Sequence, residues 1–250
     1  MRLNKPVVTY EWGFEDLSDG QIITTVPVGT VGVHQAVWDA RGLSATAYGV
    51  PAARSGLLGM GSHEQYGNVW YHGVGSALGG KASVWQKIDI LGSGFDGPSN
   101  PVPMNSALIG SKTPGESGQT GVGYFAYRRD NGSFALVKES PSFSYTDFSA
   151  PTGVWLRYET EYLPDGTVNF TVEGEDGSSY FTHTYNRGIT LDPGEGEHHF
   201  RGVAMYGGTH GSGSSLVSDD MVLTMYAPPI DNLLATGAGP GPVVFAEGVR

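Results

Sequence analysis

The chain has 250 residues, 39 glycines, 15 prolines and no cysteine, with only 16% charged residues and a formal net charge of −11. A disulfide scaffold is excluded, and a helix-rich fold lacks the Ala, Leu, Glu and Lys it would need. An acidic surface repels phosphate backbones and anionic membranes, so the expectation is no nucleic acid and no membrane insertion; neutral sugars or cations suit it better.

No run of about 18 apolar residues is present, and Met1-Arg2-Leu3-Asn4-Lys5-Pro6 lacks the apolar stretch of a signal peptide. Synthesis in the cytoplasm is therefore expected. The length suits one large β-domain with a core that needs no staple.

In chain order, residues 7–14 (VVTYEWGF) read as a strand, followed by a turn at Asp16, Ser18, Asp19 and Gly20. Residues 21–33 are β-branched and Gly-interrupted, an extended segment with a bend. From 34 to 80 short apolar pieces alternate with Gly and polar turns, and the best strand candidates are 43–50, 56–60 and 68–74. Residues 82–91 (ASVWQKIDIL) alternate with period two: Val84, Ile88 and Ile90 share one face, and Trp85, Lys87 and Asp89 the other. Residues 92–119 read as loops around one short strand at 105–110.

The most regular section follows. Residues 122–128 and 134–138 flank Asp130-Asn131-Gly132, a hairpin signal; 154–163 and 168–173 flank Pro164-Asp165-Gly166, a second one. In the second hairpin Leu156, Tyr158 and Tyr162 share a face, as do Val168, Phe170 and Val172. Residues 180–185, 200–206 and 216–226 complete the strand set. After residue 226 the composition shifts to Pro and Gly, and the chain ends near an apolar Val243-Val244-Phe245. That segment reads either as a disordered end or as an arm that packs on another protein subunit.

The block Gly153-Val154-Trp155-Leu156-Arg157-Tyr158-Glu159, with the Asp165-Gly166 turn and the strand after it, resembles a hairpin of the concanavalin A-like and laminin G-like sandwiches. The 82–91 strand resembles their early core strand. Ser218-Asp219-Asp220-Met221-Val222-Leu223 resembles their closing element, and Phe14-Glu15-Asp16 fits their first strand. The resemblance covers roughly residues 7–226. It implies an all-β, two-sheet antiparallel jelly-roll sandwich over 1–226, with 227–250 as an extended C-terminal arm. It implies a fold much more strongly than an activity.

Four groups of residues carry candidate chemistry. Glu159 and Glu161 lie two apart on a strand, with Cα atoms about 6.5 Å apart, and two carboxylates on one face suit glycoside hydrolysis. The glucanases of the resembling fold carry Glu-x-Asp-x-x-Glu there; position 164 is proline, so the third acid is missing. The bland alternative is a polar stripe in which Arg157 pairs a glutamate. Asp219 and Asp220, with Glu15 and Asp16, would supply hard oxygen ligands for Ca²⁺ if the first and last strands run together; turn-capping is the alternative. His198 and His199, with His183 and His210, lack the spacing of a metal site and read as exposed strand-end residues. Trp85, Trp70, Tyr71 and Trp38 are candidates for stacking a sugar ring, with Trp85 favoured because its strand neighbours are polar; core packing is the alternative. No Gly-x-Ser-x-Gly elbow and no phosphate-binding loop is present.

Three functional readings follow. One is a non-enzymatic structural or recognition sandwich, such as a virion component (capsid decoration, head fibre or tail) whose arm meets other subunits. A second is a free carbohydrate-binding module. The third is a glycoside hydrolase or polysaccharide lyase. The balance leans away from an enzyme.

Overall fold

Every second residue of Trp155–Tyr162 is buried, and the same holds across Thr167–Gly174. This is what a strand does when one face meets a core and the other meets water. The computed structural model describes residues 6–13, 26–31, 34–40, 47–50, 53–57, 59–62, 67–77, 79–90, 102–109, 120–126, 133–138, 144–186, 200–207 and 215–226. Over these the elements are β1 (Pro6–Trp12), β2 (Val26–Val31), β3 (His34–Ala40), β4 (Ala47–Val50), β5 (Gly59–Ser62), β6 (Gly67–Ala77), β7 (Gly80–Ile90) and β8 (Val102–Ile109). They continue with β9 (Thr120–Ala126), β10 (Ser133–Lys138), β11 (Ser144–Ser149), β12 (Trp155–Tyr162), β13 (Thr167–Gly174), β14 (Ser179–Asn186), β15 (Phe200–Gly207) and β16 (Ser215–Tyr226).

The strands form two antiparallel sheets. The first runs β14-β13-β12-β7-β16-β5-β4, with β1 also pairing β16; the second runs β11-β10-β9-β8-β15-β6-β3-β2. The first and last strands are thus neighbours, as the resemblance implies. Segment 227–250 lies outside the described residues.

Two turns explain why the β12–β13–β14 meander is so regular. Pro164-Asp165-Gly166 closes with Gly166 N–H donating to Leu163 O at 3.0 Å, Gly166 at φ 86°, and Asp165 Oδ1 accepting from Thr167 N at 3.0 Å. Glu175-Asp176-Gly177 repeats the device: Gly177 N–H donates to Gly174 O at 3.1 Å, Gly177 has φ 81°, and Asp176 Oδ1 accepts from Ser178 N at 2.9 Å. The Asp caps the turn and the Gly takes the left-handed conformation.

The inner faces meet in an aromatic core. Tyr124 of β9 stands edge-on to Tyr158 and Phe170, at centroid distances of 5.1 and 5.4 Å. Its hydroxyl crosses to the first sheet and reaches the carbonyl oxygens of Glu159 and Thr171 at 2.6 and 3.1 Å. Burial raises the Tyr124 hydroxyl well above the ordinary tyrosine range, so it stays a donor. A buried amide network also spans the sheets: Asn105 Nδ2 donates to Gln86 Oε1 at 2.8 Å, and Gln86 Nε2 donates to Ser218 Oγ at 2.9 Å and Met104 O at 3.1 Å. Gln86 thus occupies the inner face between Val84 and Ile88, satisfied rather than exposed.

Residues 34–80 contain more strand than their composition predicts. Gly67, Gly73 and Gly75 fall inside β6, which pairs β3 on one side and β15 on the other. Glycine read as a turn signal is here strand backbone held by two neighbours. Within the extended segment expected at 21–33, residues 26–31 form β2, which pairs β3. β11 gave no strand signal; it pairs β10 from Ser133↔Ser149 to Lys138↔Ser144.

Candidate functional site

A bulge organises one end of the first sheet. Asp219 faces Trp85 and Val222 faces Ser83, so β16 carries one extra residue there. Asp220 absorbs it with φ 45°, a conformation that costs a non-glycine residue on the order of 1 kcal/mol or more. On its other edge β16 changes partner at this point, from β5 at Ser218 to β1 at Met221.

The segment between β4 and β5 holds the bulge in place. Asp219 Oδ2 accepts from Arg54 N at 2.7 Å and Ser55 N at 3.0 Å, and its Oδ1 accepts from Asp220 N at 2.8 Å. Asp220 accepts from Arg54 Nη1 and Ser55 Oγ, each at 2.7 Å. Arg54 Nε also lies 3.1 Å from Glu175 Oε1. Burial raises the Asp219 carboxyl above its ordinary value, against three amide N–H groups that favour the charge.

Where a bound cation was a candidate, Asp219 instead accepts from three backbone N–H groups, and Asp220 faces the Arg54 guanidinium and the Ser55 hydroxyl. Glu15 and Asp16, the other expected Ca²⁺ ligands, lie outside the described residues. Among the described residues no group of three or more His, Asp or Glu side chains is placed to hold a metal ion.

Trp85 lies on the outer face, as its alternation predicts, and is half-buried. The Arg54 guanidinium sits 3.8 Å from its ring centroid, a cation–π contact that covers one side of the indole. Trp155 is the analogous residue on β12, with Lys87 Nζ at 5.6 Å from its centroid and in register with it. Arg157, opposite Trp85, pairs Glu173. The result is an outward patch of two indoles, two arginines, a lysine and carboxylates.

Glu159 and Glu161 both point outward, but they have separate partners. Glu159 Oε2 lies 3.4 Å from Lys81 Nζ. Both oxygens of Glu161 are engaged: Oε1 accepts from Tyr226 OH at 2.6 Å and Oε2 from Asn169 Nδ2 at 3.0 Å. Burial first, and the Glu161 carboxylate second, push the Tyr226 hydroxyl well above the tyrosine range. Arg157 pairs neither glutamate; its partner is Glu173.

Trp38, Trp70 and Tyr71 belong to the second sheet, away from Trp85. Trp38 is the cross-strand partner of Tyr71, while Trp70 falls opposite Asp39 one position along. Trp70 and Tyr71 stand on β6, within the strand expected at 68–74, and Trp38 stands on β3. His183 stacks between Phe181 and Tyr185, at centroid distances of 6.0 and 6.1 Å, so it belongs to an aromatic row along β14. His198, His199 and His210 lie outside the described residues. Sequence reasoning missed Arg54, Glu175 and Trp155. Only the Asp176-Gly177 turn beside Glu175 left a local signal; Arg54 joins the site through contacts across more than 160 positions of sequence.

No protein-family model and no curated protein matches the sequence. Solved structures do match in shape. Lectin II from Ulex europaeus superposes with a TM-score of 0.51 at 10% identity, covering 88% of this chain and 99% of the lectin. Winged bean acidic lectin complexed with methyl-α-D-galactose gives 0.48 at 8% identity, over 88% and 100% of the two chains. An alginate lyase gives 0.49 at 10% identity, over 90% and 99%. The fold is the concanavalin A-like β-sandwich; at such identity the likeness speaks of architecture alone.

Proposed function

We propose that the protein is a non-enzymatic recognition module that binds carbohydrate. The observation that carries this reading is the outward patch of the first sheet. Trp85 and Trp155 lie beside Arg54, Lys87, Arg157 and Glu173, which matches the apolar faces and polar edges of sugar rings. The lectin-type sandwich agrees with it. The candidate carboxylate pair argues against hydrolysis, since Glu161 has both oxygens engaged within the sheet. On the second sheet, Trp38 with its cross-strand partner Tyr71 is a second aromatic candidate, and Trp70, at the alternate position of β6, is a third.

A glycan array with the full chain tests the reading. Binding that Trp155→Ala or Trp85→Ala weakens supports it; Tyr71→Ala tests the second candidate and Trp70→Ala the third. Turnover of a polysaccharide that Glu159→Gln or Glu161→Gln abolishes would replace it with a hydrolase or lyase. Assembly into a virion through segment 227–250 is the further part of the proposal. It rests on the apolar Val243-Val244-Phe245 and the acidic composition, and co-purification with viral particles tests it.

A further inference from the structure

The outer face of the first sheet is crossed by two rows in unbroken register. One is Thr9–Thr224–Lys81–Glu161–Asn169–Thr184; the other is Glu11–Val222–Ser83–Glu159–Thr171–Thr182. Each row takes one residue from each of β1, β16, β7, β12, β13 and β14. Neighbouring strands are about 4.8 Å apart, so each row is roughly 24 Å long.

We propose that this face binds an extended, uncharged polysaccharide lying across the strands. The proposal rests on the carbohydrate reading above and adds the polymer's charge class and its path. The step from strand to strand is of the order of one sugar unit in an extended chain, so successive sugars would meet equivalent rows of side chains. The rows consist almost wholly of hydroxyl, amide, carboxylate and ammonium groups, the complement of sugar hydroxyls. Thr9 and Glu11 at one end and Thr182 and Thr184 at the other are exposed; of the row residues between them Thr224 is buried and the rest are half-buried.

The first row is ordered in advance. Thr184 Oγ1 donates to Asn169 Oδ1 at 2.8 Å, Asn169 Nδ2 donates to Glu161 Oε2 at 3.0 Å, and the hydroxyls of Thr9 and Thr224 are 3.3 Å apart. Groups already held in place lose less entropy when a ligand arrives. Charge selects the polymer: Glu11, Glu159 and Glu161 outnumber Lys81 on these rows, and the whole chain carries −11. A uronate or sulfated chain would be repelled, and a neutral one would not.

Affinity electrophoresis of the full chain through gels containing a neutral β-glucan, a neutral mannan or alginate tests this. The expected result is retardation by a neutral polymer and none by alginate. Thr171→Lys, with an added cation and bulk in the middle of the row, should weaken retardation on the order of tenfold. Thr182→Lys, at an exposed position, serves if Thr171→Lys fails to fold, and Ser149→Lys on the other sheet should bind as the parent does. Preference for alginate, or retardation that both row variants leave unchanged, overturns the proposal while leaving carbohydrate recognition standing. Absence of binding to every glycan, in gels and on the array, overturns both.

Discussion

The guanidinium of Arg54 lies 3.8 Å from the centroid of Trp85 while its Nη1 donates to Asp220 at 2.7 Å. One side chain thus ties the β4–β5 connection to the bulge of β16 and to the outer face of β7. The pair is about a quarter exposed, at 26% and 28%, so solvent screens part of its energy. Arg54→Met should destabilise the fold by about 1–2 kcal/mol, from the partner lost to Asp220 and Glu175. It should also open one side of the Trp85 ring. Acrylamide quenching measures this: the variant should be more quenchable than the parent, and the difference should vanish in a Trp85→Phe background. Equal quenching in both would mean that Arg54 does not cover the ring.

Gly79 and Gly80 make a second, sharper prediction. A Cβ on Gly80 would lie 2.2 Å from Phe200 Cε1, and one on Gly79 would lie 2.5 Å from the carbonyl oxygen of Tyr162. The first obstacle is a side chain and the second is backbone. Gly80→Ala should cost about 1–3 kcal/mol, and Phe200→Leu in the same chain should recover part of that. Gly79→Ala should cost at least as much, and no side-chain change should rescue it. Urea unfolding of Gly80→Ala and Gly79→Ala, each with and without Phe200→Leu, checks the order; equal rescue at both positions would contradict it.

The sandwich was legible where structure is local. The β12–β13 hairpin follows from alternation and from Pro164-Asp165-Gly166, both contained in about twenty residues of sequence. The outward position of Trp85 followed from Lys87 and Asp89 beside it. The bulge was not legible, because it depends on Arg54 and Ser55 meeting Asp219 and Asp220 from far along the chain. Its aspartates read as candidate metal ligands because a carboxylate pair carries the same signature whether a Ca²⁺ answers it or, as here, backbone N–H groups and a guanidinium do. Gln86 was silent for a related reason: a polar residue on an apolar face means nothing until Asn105 and Ser218 arrive opposite it.

That network yields a third prediction. Gln86→Leu keeps the volume near but leaves Asn105 Nδ2 and Ser218 Oγ without their partner in the core. The expected loss is about 1–3 kcal/mol. Gln86→Leu with Asn105→Leu removes donor and acceptor together and should be more stable than the sum of the single changes. A double-mutant cycle by thermal unfolding reads the coupling. Strict additivity would show that the amides do not act as a unit.

Glu161 and Tyr226 give a fourth. The Tyr226 hydroxyl titrates high because burial, then the Glu161 carboxylate 2.6 Å away, disfavours the phenolate. Glu161→Gln removes the charge and keeps a carbonyl acceptor. The Tyr226 titration, followed by phenolate absorbance against a Tyr226→Phe reference, should move down towards the ordinary tyrosine value. An unmoved titration would leave burial as the whole cause and remove Glu161 from it.

Asp219 sets the pH dependence of the bulge. Its folded-state pKa is raised above the ordinary aspartate value of 3.8, with burial the largest cause. A raised carboxyl binds its proton more tightly in the folded than in the unfolded state. Its stabilising contribution is therefore complete below 3.8 and is lost as pH rises through the folded value, above which the charged form carries a constant cost. Asp219→Asn removes this titration, but it turns an amide NH₂ towards the N–H groups of Arg54, Ser55 or Asp220, all of which need an acceptor. The variant should be less stable than the parent at every pH. The gap should narrow as pH rises from 3.8 through the folded value, because only the parent loses stability from this group there. Chemical unfolding at a series of pH values on both proteins measures the gap. A constant gap would mean that the three N–H donors cancel the effect of burial, and a widening one would mean that they outweigh it.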